Sequence, residues 1–207
     1  MTQPQPSIGG TNPSPKGRTV EYAGKMVRGI LILLLIFAAA QLIYGIYLAI
    51  LPPERFAVQL TRQSWFIQPE GDPFSLSSTI PFTLIPGTES VLRSPKAAQL
   101  ISLFASWLTC LCWGGCFFLM DSIFSQIHGG ATPFTEENSR RIRALGLLQI
   151  AGSLLPSLLQ SILNWLWAAD AFVWQLPLDW ILGVLILALS GIFSYGSQLQ
   201  EEYDQTI

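Results

Sequence analysis

The stretch that decides the fold is Gly29–Leu51, GILILLLIFAAAQLIYGIYLAIL, which carries no charge and a single amide, Gln41. About 20 apolar helical residues cross a hydrocarbon layer of ~30 Å. This run exceeds that length, so it predicts a membrane span. Lys25 and Arg28 before it, and Ala38–Ala40 within it, imitate a secretory signal. The apolar run continues past Ala40, however, and the basic residues lie far from Met1, which predicts a retained helix.

Three more runs of the same kind follow. Ala97–Met120 continues as helix to Ile127, Ala144–Trp167 is the third, and Leu176–Tyr195 is the fourth, with Asp179 near its start. The predicted fold is an all-α membrane protein, a four-transmembrane-helix bundle over residues 21–207 with spans at 29–51, 97–127, 139–167 and 176–198. Residues 1–20, rich in Pro, Gly, Ser, Thr and Gln, predict a disordered tail. Composition agrees. Half of the 207 residues are hydrophobic and 12% are charged, against about 25% in ordinary soluble domains. A net charge of −2 with no polybasic run excludes nucleic acid as a partner.

Loop 52–96 is the one sizeable polar segment. Gln63–Gln68 and Thr79–Ile85 have strand-like content, and Pro69, Gly71, Asp72 and Pro73 form a turn cluster between them. A small β-hairpin resting on the helix ends is expected, because so short a segment builds no core of its own. The basic residues orient the protein. Lys16, Arg18, Lys25, Arg28, Arg140, Arg141 and Arg143 fall on one side, and Arg55, Arg62, Arg93 and Lys96 on the other. This predicts a cell-membrane protein with both termini cytoplasmic and loop 52–96 outside.

Helices associate in lipid through small residues and hydrogen bonds. Ala98, Ser102, Ser106, Cys110 and Gly114 recur every four residues in helix 2 and predict a packing stripe. Gln149, Ser153, Ser157 and Ser161 recur likewise in helix 3, with Gly152, Gln160 and Asn164 beside them and Pro156 as a predicted kink. These polar faces have two readings, a hydrophilic pathway or contacts between helices. The second is the plainer one, since no charged residue is expected deep in a span.

Little chemistry is on offer. The single histidine, His128, stands about 18 Å along a helix from Cys116, and Cys110 points away from Cys112 and Cys116, so no metal site is expected. Phosphate-loop, nucleophile-elbow, zinc-protease and dinucleotide motifs are missing from the sequence. No catalytic residue and no cofactor is therefore expected, and the protein is read as not an enzyme. Asp121, near the end of helix 2, reads either as a proton or cation ligand or as a partner of Arg140, Arg141 or Arg143.

The most specific segment is Gly129–Arg143, GGATPFTEENSRRIR. Two glycines end helix 2, Thr135 is the expected N-cap of helix 3, and Glu136 and Glu137 suit its first turn. This run resembles the signature of a bacterial membrane family known as domain of unknown function 2975, and Ile192–Ile207 looks like that family's ending. The likeness covers about residues 30–207 and departs in the N-terminal tail and loop 52–96. It implies a four-helix membrane protein with no established activity and no catalytic residues.

The two motifs carry opposite charge. Arg140, Arg141 and Arg143 lie near the start of helix 3, and Glu201, Glu202 and Asp204 lie just past the expected end of helix 4. An antiparallel pairing of these helices predicts a cytoplasmic charge clamp, with Asp121 as a further member. The leading functional reading is a non-enzymatic protein of the bilayer that binds a cytoplasmic protein partner through loop 129–143 and the C-tail, or senses the membrane state. The alternative is a small transporter or channel subunit using the polar faces of helices 2 and 3. That alternative requires a water-filled cavity reaching Asp121, Gln149 and Asn164.

Overall fold

A computed structural model describes residues 15–71, 78–81, 84–85, 92–129, 132–170 and 172–206. Four helices carry the chain: α1 Pro15–Ile50, α2 Pro95–His128, α3 Glu136–Leu163 and α4 Trp180–Thr206. A π-helix, Asn164–Ala168, prolongs α3. All four are long and apolar enough to cross a membrane.

The helix ends differ from expectation for local reasons. α1 starts at Pro15, so residues 15–20, expected in the disordered tail, are helical; residues 1–14 lie outside the described part. Nothing between Pro15 and Gly29 except Gly17 and Gly24 opposes helix, and Lys25 Nζ bonds Glu21 one turn earlier at 2.6 Å. α3 starts at Glu136 because Thr135 Oγ1 accepts the Asn138 N–H at 3.1 Å. α4 starts at Trp180 rather than 176, after a turn at Leu178 and Asp179 that follows Pro177. It also runs on to Thr206, so Glu201, Glu202 and Asp204 lie inside the helix. No glycine or proline interrupts Ser197–Thr206.

The helices pack in chain order, α1 on α2, α2 on α3 and α3 on α4. Among the described residues no extensive contact joins α1 to α3 or α4, or α2 to α4. The expected four-helix bundle takes the form of a row in which each helix packs on its chain neighbour. Between apolar helices in lipid no hydrophobic drive encloses a common interior, and close pairwise packing suffices.

α4 is also displaced lengthwise. Ser139 Oγ donates to Ser190 O at 3.1 Å, and a Cβ placed on Gly183 would stand 2.8 Å from Gly146 O. Both contacts set one antiparallel register. In it Trp180 stands level with Gln149, about the middle of α3, and Ser194 stands level with Thr135. The last dozen or so residues of α4 therefore project about 18 Å past the start of α3. The connection from Ala168 must return about 28 Å along α3 to reach Trp180. A helix of that length would cover only about 18 Å, so the connection runs extended. Trp174 Nε1 donates to Ser157 Oγ at 3.2 Å, partway along this return.

Where α1 ends and α2 begins lies a three-stranded antiparallel sheet in the order β1–β2–β3, made of β1 Phe56–Leu60, β2 Ser64–Pro69 and β3 Ser78–Pro81. Phe56 pairs with Pro69 and Leu60 with Trp65; Ser64 pairs with Pro81 and Ile67 with Ser78. The expected hairpin is β2–β3, and β1 is an addition. Gly71 has φ +72°, the left-handed conformation that suits glycine after β2. Asp72 and Pro73 of the expected turn lie outside the described residues.

The sheet rests on the helix ends. Phe56, Ile67, Ile80 and Ile85 form one buried cluster with Leu48, Ala98, Ile101, Ala168 and Ala169. Each fully buried isoleucine contributes about 1.5–3 kcal/mol. Lys96 Nζ donates to the carbonyls of Ala49 and Leu51 at 2.8 and 2.6 Å. It therefore caps the last turn of α1, where the backbone has no further donors. Arg93 N–H donates to Ala168 O at 2.7 Å, tying the sheet end to the π-helix.

Candidate functional site: a polar recess between α2 and α3

α2 and α3 approach closely away from the sheet. A Cβ on Gly115 would stand 2.6 Å from Leu148 Cδ2, and one on Gly152 would stand 2.6 Å from Cys112 Cβ. Toward the sheet the same two helices leave a recess of about 430 Å³. α2 lines it with Ser102, Ala105, Ser106, Thr109, Cys112 and Trp113. α3 lines it with Gln149, Gly152, Ser153, Pro156, Ser157 and Gln160. Thr79, Pro81 and Leu84 border it from the sheet, and Pro177 and Asp179 from the extended connection. It extends about 16 Å along α2, from Ser102 to Trp113.

The lining is built for hydrogen bonding. Gln41 of α1 donates from Nε2 to Ser106 Oγ at 2.8 Å. The Ser157 hydroxyl, which accepts from Trp174, donates to Leu154 O at 3.0 Å. Ser153 Oγ is buried without a partner. Pro156 has no N–H, so the Gly152 carbonyl loses its ladder donor at the recess wall. The lining includes one carboxylate, Asp179, and no Lys, Arg or His. Such a site suits an uncharged or cationic solute and disfavours an anion.

Asp179 stands directly before α4, near the helix start where the sequence reading put it. The register of α4 puts it level with Ile150, about midway along α3, where it is exposed at the border of the recess. The signal was Pro177 followed by Asp179-Trp180, a helix start. Its level along α3 depended on how α4 packs.

The expected stripe on α2 does not hold one face. A step of four residues advances about 40° around a helix beyond a full turn, so Ala98 and Gly114 end on nearly opposite sides. Ala98 belongs to the sheet-end core, and Ser102 lines the recess. Ser106, bonded to Gln41, is exposed, whereas Ala105 is buried. The Cys110 thiol donates to Leu34 O at 3.4 Å. Gly114 borders a groove on α1 where an added Cβ meets nothing within 4 Å. Among the described residues no three His, Cys, Asp or Glu side chains converge on a metal position.

At the far end from the sheet, Asp121 pairs with Arg28 of α1 rather than with the arginines of α3. Arg28 Nε and Nη2 donate to its two oxygens at 3.2 and 3.3 Å. α1 continues past its apolar run, and this extension brings Arg28 alongside α2. Arg140 and Arg141 bond Glu136 and Glu137, one turn earlier on α3, at 2.6 and 2.5 Å. Arg141 also reaches Ser122 O of α2 at 3.3 Å. Arg143, Glu201 and Glu202 are exposed, and the Asp204 side chain lies outside the described residues.

The two sequence motifs meet at Phe134 and Phe193. The Phe134 and Phe193 rings lie 5.1 Å apart, and Gly196 leaves room for Phe134, since a Cβ there would stand 2.8 Å from Phe134 Cδ1. Asn138, fully buried, holds the turn by donating to Pro133 O at 3.2 Å. The aromatic in each motif was the available signal, and the surrounding charges obscured it.

The chain belongs to the family described as protein of unknown function (DUF2975), which matches residues 83–207. The match takes in α2, α3 and α4 and begins after the described strands, later than residue 30. No curated protein and no solved structure matches the chain.

Proposed function

We propose that this member of the DUF2975 family is a multi-pass protein of the cell membrane that binds a small solute in the α2–α3 recess and performs no covalent chemistry. The observation that carries this reading is a hydroxyl- and amide-lined recess set among helices whose outer faces are apolar. Extended backbone at membrane depth is tolerated where it lines a wet cavity or is buried in protein, and the segment through Pro177 and Asp179 borders this one. The volume falls in the ~300–1,000 Å³ range of small-molecule sites. Both termini are assigned to the cytoplasm. The end remote from the sheet carries Lys25, Arg28, Arg140, Arg141 and Arg143, while Lys96 at the sheet end is engaged by carbonyls of α1.

The recess reaches Gln149 but neither Asp121 nor Asn164. It therefore supports a site entered from the sheet side, the outer half of a transport route at most. A cytoplasmic protein partner is the second reading. The projecting end of α4, with Tyr195, Leu199 and Tyr203 exposed, favours it.

Cys112 is a built-in probe, because Cys110 and Cys116 do not line the recess. In sealed vesicles a membrane-impermeant thiol reagent applied on the sheet side is expected to modify the wild-type chain, and Cys112→Ala is expected to abolish that modification. A Cys112 that is inert from the sheet side overturns the reading.

A further inference from the structure

We propose that two copies of this chain pair through the outer edge of β1, joining their sheets into one six-stranded antiparallel sheet about a twofold axis at Val58. The occupant of the edge is the same strand of a second copy. β1 stands at the sheet edge opposite β3, the strand that borders the recess.

The edge is open. β2 bonds β1 on one side, and among the described residues no strand pairs with it on the other. The Arg55 carbonyl accepts from Glu70 N–H at 2.6 Å, and Thr61 N–H donates to Ser64 O at 2.9 Å. Backbone groups alternate in direction along an antiparallel strand. The odd-numbered residues therefore face β2, and Phe56, Val58 and Leu60 turn their backbone groups outward. The Phe56 N–H is taken by Pro53 O. Natural edges are blunted by brevity, lysine, proline or a bulge. β3, the other edge, is four residues long and ends on Pro81. β1, Phe-Ala-Val-Gln-Leu, has neither lysine nor proline, and its Val58 and Leu60 are exposed.

The edge is also complementary to itself. Setting Val58 opposite Val58 matches the outward groups of all three residues. The two valines exchange both N–H···O bonds, and each Leu60 N–H reaches the Phe56 carbonyl of the other copy. Leu60 and Phe56 then stand opposite each other on one face as an apolar pair. Past the strand ends, Glu54 of each copy comes opposite Arg62 of the other. Both are exposed, and among the described residues neither forms an ion pair within the chain. A self-complementary twofold contact closes at a dimer.

The fold orients that axis. The twofold of an antiparallel strand pair is normal to the sheet. Phe56, Ile67 and Ile80 bury one sheet face against Leu48, Ala98, Ile101 and Ala168, residues near the end of α1, the start of α2 and the end of the π-helix. A sheet laid across helix ends has its normal along the helices. The axis therefore runs along the membrane normal, as two copies inserted the same way require.

The test uses the full chain in lipid vesicles. Val58→Cys is oxidised with copper phenanthroline, and covalent dimer is read on a non-reducing gel. The two Val58 α-carbons would stand about 5.5 Å apart, within the span of a disulfide. The wild-type chain, whose three cysteines lie in α2, is the blank. Thr79→Cys on β3 is the control for random collision. The dimer yield of Val58→Cys is expected to exceed that of the control several-fold. Glu54→Arg in the Val58→Cys chain, and likewise Arg62→Glu, should lower the yield several-fold by setting like charges opposite each other. The two together should restore it, a rescue that misfolding of the single variants would not give. Leu60→Pro removes an outward N–H without touching the β1–β2 bonds, and should also lower the yield. A Val58→Cys yield no greater than that of the control overturns the strand dimer. So does a yield that the charge reversals leave unchanged, or a loss that the double reversal fails to restore.

Discussion

Gly183→Ala probes the contact that sets the depth of α4. A Cβ at position 183 would meet Ile150 Cγ1 at 2.6 Å, Gly146 O at 2.8 Å and Ile150 N at 3.0 Å. Two of these are backbone atoms and cannot rotate away, so α3 and α4 must separate. Overpacking of this kind costs about 1–3 kcal/mol. Gly114→Ala is the matched control, because its Cβ meets nothing within 4 Å. There the lower backbone entropy of alanine should stabilise helix by about 0.5–1 kcal/mol. The two substitutions add the same methyl group to two membrane-length helices, yet should move stability in opposite directions. Equilibrium unfolding in mixed micelles, followed by circular dichroism, measures the difference. Equal midpoints for the two variants would refute the close α3–α4 crossing and, with it, the register that places Asp179.

Arg28→Ala and Asp121→Ala should each cost little, with a coupling of about 0.2–1 kcal/mol in a double-mutant cycle because the Arg28 side of the pair is exposed; a zero coupling in low salt would remove the α1–α2 tie. Thr135→Ala should destabilise by about 0.5–2 kcal/mol through loss of the α3 cap, and Thr135→Ser should restore most of it. Amide exchange at Asn138 is the local measurement that checks the cap.

Four apolar helices, the polar faces of α2 and α3, the β2–β3 hairpin and the Thr135 cap were legible in the sequence. Each depends on neighbours a few residues apart. Helical length follows from an uninterrupted apolar run, strand content from alternation and turn residues, and a cap from one hydroxyl before a helical segment. The start of α1 was missed because a polar N-terminal composition suggests disorder, while helix needs only that breakers be few and that local pairs such as Glu21–Lys25 form. The strand β1 was missed because FAVQL has little alternation, and its pairing with β2 supplies what its sequence lacks.

Which charges meet was decided by tertiary structure. Asp121 had three arginines on α3 as candidates, but α1 runs beside α2 and delivers Arg28 first. Glu136 and Glu137 satisfy Arg140 and Arg141 within one turn, at a smaller entropic cost than a contact across the chain. The level of Asp179 along α3 has the same origin. Pro177 and the turn after it are local features that accompany the start at Trp180, although the apolar run alone had suggested a start at 176. Sequence does not determine where along α3 that helix begins, since small residues allow close approach at many registers. The Gly146–Gly183 crossing and the Ser139–Ser190 hydrogen bond select one of them, and that selection places Asp179 at the border of the recess.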